Sequence, residues 1–333
     1  MRVLAVTNLY PTPYAPTAGT FIERQVEGLR QIGLDIDVML LDRIQQGRGA
    51  YLRLGKAVRI KVSDVKPDLV HVMYGGIMAD EVTRSISDRP VVVSFCGTDL
   101  LGQPLVGCLK KLSARYNVWA SHRAARRATA IVVKSRNLFD ALPTDVDRSK
   151  VRIIPSGVDL ERFKPLDKDA ARKILGWPAV AQVVLFVTVR GHPRKRLDLA
   201  QEAVARLRCN RDVTLRVMQG VPHEQVPLWM NAADVLILTS VHEGSVNAVK
   251  EAMACNLPIV SVDVGDVRER LNGVRRCAIA EPTATALAHS LNDILGQGER
   301  SDGRDHLADL TTIAIAEHLR NFYDQTLGRV TQI

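Results

Sequence analysis

The chain has 333 residues, of which 46% are hydrophobic and 24% are charged. This length accommodates two domains with sizeable cores, and the composition excludes a disordered chain. The net charge of +9 is uneven: residues 1–148 contain 21 Lys+Arg and 14 Asp+Glu, whereas residues 149–333 contain 24 and 22. Of the two halves, the first is therefore the better candidate for contact with an anionic partner.

The cysteines and the apolar runs indicate the compartment. The five cysteines form an odd set without CxxC spacing, which argues against a disulfide framework and against a structural zinc site. The opening MRVLAVTNLYP has too short an apolar run for a signal peptide, and no run approaches the ~20 apolar residues of a membrane-spanning helix. We expect a cytoplasmic globular protein.

Apolar runs of strand length alternate with helical patterns along the chain. Many runs are continuously apolar and β-branched, which is typical of parallel strands covered on both faces. Stretches such as TFIERQVEGLRQIG supply the crossover helices, so the pattern predicts an α/β protein with doubly wound parallel sheets. The predicted strands are Val3–Thr7, Ile36–Leu41, Leu69–Val72, Val91–Phe95, Ile131–Val133, Val151–Ile154, Val183–Val189, Thr214–Met218, Val235–Leu238 and Ile259–Val262.

The alternation pauses at LPTDVDRSKVRIIPSGVDLERFKPLD, residues 142–168, where prolines and Asp-rich turns are typical of a domain junction. We predict a first domain over residues 1–148 and a second over 149–305. A last apolar helix, roughly 306–327, is expected to pack back on the first domain.

A basic loop follows the first long strand of the second half, in TVRGHPRKRLDLA. Arg190 and Lys195 lie in this strand-to-helix loop, where open α/β sheets bind phosphates. A planar guanidinium and a mobile ammonium are a suitable pair for a diphosphate. The alternative is a basic surface loop in which Arg194 and Arg196 are merely solvated.

Two glutamates flank the start of a predicted helix in HEGSVNAVKEAMACN. Ser245 or Asn247 can cap this helix, and its free backbone N–H groups would attract phosphate. Glu251 lies one turn after Asn247, where it could accept hydrogen bonds from ribose hydroxyls. The alternative is that Glu243 and Glu251 are unrelated surface carboxylates.

Metal and dinucleotide sites are not indicated. The pairs Asp35-x-Asp37 and Asp145-x-Asp147 lie at a strand start and in the junction loop, and the histidines lack ligand spacing. GLRQIGLDIDV contains no GxGxxG after a strand. We therefore expect no metal and no bound dinucleotide.

No acidic residue occurs from Leu100 to Phe139, and an apolar stripe of Leu105, Leu109, Leu112, Tyr116 and Trp119 recurs at helical steps. An anionic membrane surface and an ordinary core-facing helix with a basic outer face remain open as explanations. Nucleic acid is not expected, since RNP-type aromatics, a zinc finger and a basic zipper are missing. The membrane hypothesis uses Lys110, Lys111, Arg115, Trp119, Arg123, Arg126 and Arg127.

Together these motifs resemble the retaining family-4 glycosyltransferases of GT-B fold. AADVLILTSVHEGSVNAVKEAMACNLPIVSVDVG is similar to the family signature of an acidic residue, Gly, a short loop and a second Glu. IIPSGVDLERFKP, VRGHPRKRLDL, PDLVHVMYGG, VVVSFCGTDL and YAPTAGTFIERQ are similar to other family segments, so the resemblance covers nearly the whole chain. It implies two Rossmann-like domains facing across a cleft, the first for the acceptor and the second for a nucleotide sugar.

The resemblance also implies roles for individual residues. Arg190 and Lys195 would stabilise charge on the leaving diphosphate, Glu243 would bind donor-sugar hydroxyls, and Glu251 would bind the ribose. No cofactor is implied, since the nucleotide sugar is a substrate. The other implied donor-binding residues are Gly19, Gly244, Ser245, Val246 and Asn247, and the acceptor or cleft residues are Thr20, His71, Cys96 and Asp99.

The chain departs from the family pattern in several places. Cys96 replaces the histidine that often precedes GTDL and usually contacts the donor sugar. The first loop reads Ala18-Gly19-Thr20 in place of paired glycines, and Arg196 replaces a common glycine. The chain is also short after VTLRVMQG, near where the family builds base recognition.

The resemblance implies transfer of a sugar, from a UDP-sugar in the first instance, to a lipid-linked or polysaccharide-precursor acceptor in bacterial surface polysaccharide assembly. Peripheral attachment to the inner face of the cell membrane is a separate hypothesis. A nucleotide-sugar-binding protein or regulatory subunit without transfer activity is the alternative. A sugar-nucleotide epimerase would need cleft acids and histidines in an arrangement that the sequence does not present.

Overall fold

The computed structural model describes residues 1–47, 49–103, 107–188, 192–209 and 211–329. The chain forms two compact units. The first combines Met1–Gly157 with Thr312–Ile333, and the second is Val158–Thr311. Both are α/β units around one parallel sheet, which confirms the predicted doubly wound, Rossmann-like class.

The first unit has a six-stranded sheet of order β2-β1-β3-β4-β5-β6, in which every neighbouring pair is parallel. Its strands are β1 (Arg2–Thr7), β2 (Asp35–Leu40), β3 (Leu69–Val72), β4 (Val91–Phe95), β5 (Ala130–Val133) and β6 (Val151–Ile153). Its helices are α1 (Thr20–Gln31), α2 (Arg43–Gln46), α3 (Ala50–Val65), α4 (Ile77–Ser85), α5 (Thr98–Leu101), α6 (Cys108–Arg127) and α7 (Arg136–Asp140).

The second unit has a five-stranded parallel sheet of order β11-β10-β9-β7-β8. Its strands are β7 (Gln182–Val187), β8 (Val213–Met218), β9 (Val235–Leu238), β10 (Ile259–Ser261) and β11 (Cys277–Ile279). Its helices are α8 (Lys168–Leu175), α9 (Leu197–Leu207), α10 (Val226–Ala232), α11 (Asn247–Ala254), α12 (Val267–Arg270) and α13 (Ala284–Gln297). The next helix, α14 (Thr312–Thr326), belongs to the first unit.

Central strands are buried along their whole length, as their composition requires. Every residue of β3, β4, β5 and β9 is buried, because helices cover both faces of each sheet. Each unit has its own apolar core of strand and helix side chains. Within the described ranges, every helix is too short or too polar to span a bilayer.

The first unit extends further than the sequence indicated. The strand at Val151–Ile153 pairs with β5 in the first sheet, so the break comes after Gly157 and not after residue 148. Residues 149–157 were assigned to the wrong side because an isolated apolar run does not show which sheet it joins. The short strand β11 was not predicted.

The last helix, α14, packs on α1 in the first unit. It begins at Thr312, whereas residues 303–310 form short 3₁₀ turns in the second unit. Gly28 of α1 allows the close approach, since a Cβ there would lie 2.8 Å from Thr312 Cγ2. From α14, the Tyr323 hydroxyl reaches His71 Nδ1 at 2.5 Å.

Candidate active site

The strand order of the second sheet creates a crevice between β7 and β9. From β7 the chain moves outward to β8, then returns past β7 to β9 and continues in the other direction. At such a switch point the loops after the two central strands diverge and leave room for a ligand at their carboxyl ends. The loop after β7 carries Lys195, and the loop after β9 carries Glu243.

Ion pairs join these two loops. Lys195 Nζ lies 2.7 Å from Glu243 Oε1, and Arg194 Nη1 lies 2.5 Å from Glu243 Oε2. All three side chains are largely buried, with 11–16% of their surface exposed. Just after β9, the Thr239 hydroxyl donates to the carbonyl oxygens of Lys195 and Arg196, each at 2.8 Å. Side-chain and backbone contacts thus hold the charged groups together.

Arg194 is therefore part of the cluster, and the alternative in which it is merely solvated is wrong. Besides its ion pair, its Nη1 donates to the His242 carbonyl at 2.8 Å, and its own carbonyl accepts from the Val241 N–H at 2.9 Å. Arg190 lies outside the described residues. Among the described residues, Arg194 and Lys195 form ion pairs with the carboxylate.

The environment of Glu243 keeps its carboxyl group ionised. Burial alone would raise its pKa. The attraction of Lys195, followed by that of Arg194 and the hydrogen bonds from both, outweighs burial and lowers the pKa below its ordinary value. Glu243 is thus suited to accept hydrogen bonds and unsuited to act as a general acid near neutral pH.

The EGSVN segment leads from Glu243 into α11. The cap position of this helix is Val246, whose side chain makes no capping hydrogen bond, so the prediction that Ser245 or Asn247 is the cap is wrong. Ser245 Oγ instead donates to Asp266 Oδ2 at 2.7 Å, and Asn247 is the first helical residue. The start of α11 therefore retains backbone N–H groups without a side-chain cap.

Glu251 lies inside α11 and is buried, with 8% of its surface exposed. Its Oε1 is 3.8 Å from Nε2 of His223, and the His223 ring meets the edge of the Phe163 ring at 5.7 Å between centroids. The interpretation of Glu251 as a surface carboxylate is therefore wrong. His223 was not predicted as a site residue, since its contact joins segments distant in sequence.

Sequence profiles of two families match this chain. The profile described as Glycosyltransferase Family 4 matches residues 14–162, and that described as Glycosyl transferases group 1 matches residues 177–297. The chain belongs to the family-4 glycosyltransferases. It is 25% identical to a Bacillus subtilis glycosyltransferase, TuaC, whose name assigns it to teichuronic acid biosynthesis; the match covers 87% of this chain and 88% of TuaC.

Solved structures show the same fold. Sucrose-phosphate synthase of Thermosynechococcus elongatus superposes with a TM-score of 0.78 at 18% identity, covering 99% of this chain and 100% of that one. Anabaena Alr3699/HepE in complex with UDP-glucose superposes with a TM-score of 0.72 at 16% identity, covering 97% and 99%. The transferase thus has the two Rossmann-like units of the GT-B fold.

In the first unit of the transferase, Gly19 precedes α1 with φ of +68°. A Cβ at this position would lie 2.4 Å from the backbone of Leu9, so both the turn and the close approach require glycine. Thr20 is the first residue of α1. These residues follow β1, and the strand order of this sheet reverses between β1 and β3.

Two residues expected to line an acceptor cleft are fully buried, so that prediction is wrong for both. His71 is enclosed between Tyr323 and Ser94, whose hydroxyls contact its ring nitrogens at 2.5 and 2.7 Å, and burial lowers its pKa to about 3. Asp99 accepts hydrogen bonds from the backbone N–H groups of Gly75 and Cys96 and of residue 97, at 2.7–3.1 Å. Both residues organise the interior of the unit.

Cys96 is partly exposed next to this interior. Burial and then the nearby Asp99 raise the pKa of its thiol to about 12, so it is not a thiolate nucleophile near neutral pH. Close to it lies the buried Lys134, whose Nζ donates to Gln25 Oε1 at 3.0 Å and whose pKa is lowered by burial. Lys134 therefore faces the interior, unlike the other cations between Leu100 and Phe139.

The apolar stripe of α6 faces outward. Its buried residues are small and lie in its C-terminal half, whereas Leu109, Leu112, Tyr116 and Trp119 are exposed. A core-facing helix is therefore the wrong explanation for this stripe; Leu105 lies outside the described residues. Lys110, Lys111 and Arg115 are exposed beside it. Arg123, Arg126 and Arg127 instead pair with Asp80 or Asp145.

A second basic helix lies on the same side of the sheet. Helix α3 packs on α4, which packs on α6. Opposite its buried residues, α3 exposes Leu52 and Ile60 together with Arg53, Lys56 and Arg59. This helix was not predicted as a basic surface, since one acidic residue, Asp64, interrupts its basic run. The first unit thus has two exposed helices that combine apolar and basic residues.

The ion cluster should contribute to the free energy of unfolding. Replacing Glu243 with Gln leaves Lys195 and Arg194 without their shared carboxylate, and we expect the free energy of unfolding at pH 7 to fall by about 3 kcal/mol. Because the folded-state pKa of Glu243 lies below its unfolded value, its contribution is present above the unfolded pKa and lost as pH falls through the folded pKa.

Urea unfolding at neutral pH and at about pH 3 measures this effect. The difference between parent and Glu243→Gln should narrow at the lower pH. Glu202→Gln is the matched control, because Glu202 forms an exposed pair with Arg206 worth at most ~1 kcal/mol. An effect of Glu243→Gln no larger than that of this control would contradict the account.

Proposed function

We propose that this transferase moves a sugar from a nucleotide sugar, with UDP-sugars favoured, to a lipid-linked or polysaccharide-precursor acceptor, with retention of anomeric configuration. The observation that carries the proposal is the Lys195–Glu243–Arg194 cluster beside the start of α11. The name of TuaC supports a polysaccharide acceptor, and the HepE complex with UDP-glucose supports the donor class.

The cluster places opposite charges where the two ends of a donor would need them. In our proposal the diphosphate displaces Glu243 from Lys195. The sugar hydroxyls then donate hydrogen bonds to the Glu243 carboxylate, which Arg194 continues to orient. Backbone N–H groups of Gly244, Ser245 and Asn247 face the phosphates from the helix start, whereas the Val246 N–H, also expected there, donates to Asp266. Glu251 binds the ribose, and Arg190 assists Lys195 on the diphosphate.

The proposed step breaks the bond between the sugar C1 and the diphosphate oxygen. The acceptor hydroxyl oxygen forms the new bond to C1 on the same face, and its proton passes to the departing phosphate oxygen. Negative charge grows on the diphosphate as the bond breaks, and Lys195 stabilises that charge. We propose that the positive charges of Lys195 and Arg190 take the place of a metal ion on the diphosphate and that the reaction requires no metal.

A transfer assay tests this assignment. We expect Lys195→Met to lower kcat by about 10²- to 10³-fold, since the lost charge acts mainly in the transition state. Glu243→Ala should abolish transfer while the fold survives. Glu202→Gln, exposed on α9, should retain the parent rate. Donors are UDP-sugars, and the acceptors are lipid-linked saccharide precursors.

The same assay separates the alternatives. Normal transfer by Glu243→Ala would overturn its assigned role. A parent protein that binds UDP-sugars but neither transfers nor hydrolyses them would favour a binding or regulatory protein. The anomeric proton coupling of the product should match that of the donor, and added EDTA should leave the rate unchanged.

We further propose that the first unit attaches peripherally to the inner face of the cell membrane, with the transferase in the cytoplasm. The supporting observation is the outward apolar stripe of α6, whose Leu112, Tyr116 and Trp119 lie beside exposed cations. Aromatic and leucine side chains enter the interface between headgroups and acyl chains, and lysine and arginine attract anionic headgroups. The exposed residues of α3 would extend this surface.

Co-sedimentation with vesicles tests the attachment. Binding should require anionic lipid and weaken as salt is raised. Replacing Lys110, Lys111 and Arg115 with Gln should weaken it about 100-fold, because each charge contributes roughly 1 kcal/mol at the surface. The control is Lys173→Gln with Ile174→Ala, an exposed basic and apolar pair on α8. Binding that is independent of lipid charge would count against the proposal.

A further inference from the structure

The loop after β10 is in backbone contact with the loop that carries Glu243. Gly265 has φ of +61°, and a Cβ there would lie 2.3 Å from the carbonyl oxygen of Gly244 and 3.2 Å from Glu243 Cβ. The position therefore accepts only glycine. This contact brings the next residue, Asp266, under the start of α11.

Asp266 bonds two consecutive residues of the EGSVN segment. Its Oδ2 accepts from Ser245 Oγ at 2.7 Å, and its Oδ1 accepts from the Val246 N–H at 3.1 Å. The residue is buried, with 2% of its surface exposed. Because Val246 is the cap position of α11, the carboxylate fixes the backbone where the helix begins.

Two cations accompany this buried carboxylate. Lys250, also fully buried, donates from Nζ to Ser245 Oγ at 2.8 Å, and Arg270 Nε lies 3.4 Å from Asp266 Oδ2. A lone buried carboxylate at the start of α11 would repel an anionic ligand there. With both cations close, the anchor adds no net negative charge to that end of the helix.

We propose that Asp266 is a positioning residue of the transferase. It sets the backbone of residues 243–247 for the donor diphosphate, while Lys250 and Arg270 more than offset its negative charge. This inference rests on the proposed function, since it assigns the diphosphate to the start of α11. Asp266 acts through Ser245 and Val246 and itself contacts no substrate.

Two explanations of Asp266, a charge alone and a backbone anchor, predict opposite changes in the Kd for UDP. Calorimetric titration measures that change. If the carboxylate contributed only charge, Asp266→Asn would tighten UDP binding. As an anchor it should weaken binding, and we expect the Kd to rise about tenfold, as for the loss of one charge-assisted hydrogen bond. Asp263→Asn is the matched control, because Asp263 forms an exposed pair with Arg268 in the same loop. A Kd for Asp266→Asn that is unchanged or lower would overturn the proposal.

A double-variant cycle tests the charge balance. Lys250→Met alone should also raise the Kd for UDP, because it leaves Asp266 with less compensation. Combined with Asp266→Asn it should raise the Kd by less than the product of the two single effects, because Lys250 and Asp266 bond the same Ser245 hydroxyl. Strict additivity would overturn the role of Lys250. If Asp266→Asn does not fold, Ser245→Ala removes one of the two anchoring bonds and should still weaken UDP binding.

Hydrogen exchange provides a readout that needs no ligand. The Val246 amide should exchange at least about tenfold faster in Asp266→Asn than in the parent and the Asp263→Asn control. Unchanged exchange would overturn the anchor. Faster exchange in Asp266→Asn, together with a parent that does not bind UDP, would instead overturn the proposed function and leave the anchor established.

Discussion

The second unit depends on one carboxylate that two cations share. Glu243 follows β9, Lys195 and Arg194 follow β7, and their ion pairs join the two loops at the point where the strand order reverses. Such a buried cluster is held only while each charge has a partner, since an unpaired buried ion is costly. We infer that a donor can replace these ion pairs, because its anionic end can pair with the cations and its hydroxyl-bearing end can bond the carboxylate.

The fold could be predicted from the sequence because buried parallel strands are short, continuous apolar runs. Val235–Leu238 was predicted with its observed bounds for this reason. The sheet to which a run belongs is a long-range property, and Val151–Ile153 was therefore placed in the wrong unit. The short strand at Cys277–Ile279 was missed because it is only half-buried and three residues are too few to show a strand pattern.

The site was predicted only in part. The resemblance singled out Lys195 and Glu243, but their contact, and the share of Arg194 in it, spans 48 residues of sequence and was not foreseen. Asp266 reaches its partners across 20 residues and gave no local signal. At strand ends the sequence could not distinguish a residue that lines the cleft from one that is buried beneath it. His71 is an example, because it is covered by α14, whose position is set by packing on α1.

In the proposed function, the crevice between β7 and β9 binds a nucleoside diphosphate through Lys195. Thermal unfolding with UDP, GDP and ADP, for the parent and for Lys195→Met, tests it most directly. A nucleotide at ~100 times its dissociation constant should stabilise the parent by ~2.7 kcal/mol, seen as a rise in Tm of a few degrees. We predict that rise with UDP and a much smaller one in Lys195→Met. Equal shifts in both proteins, or none with any of the three nucleotides, would contradict the account.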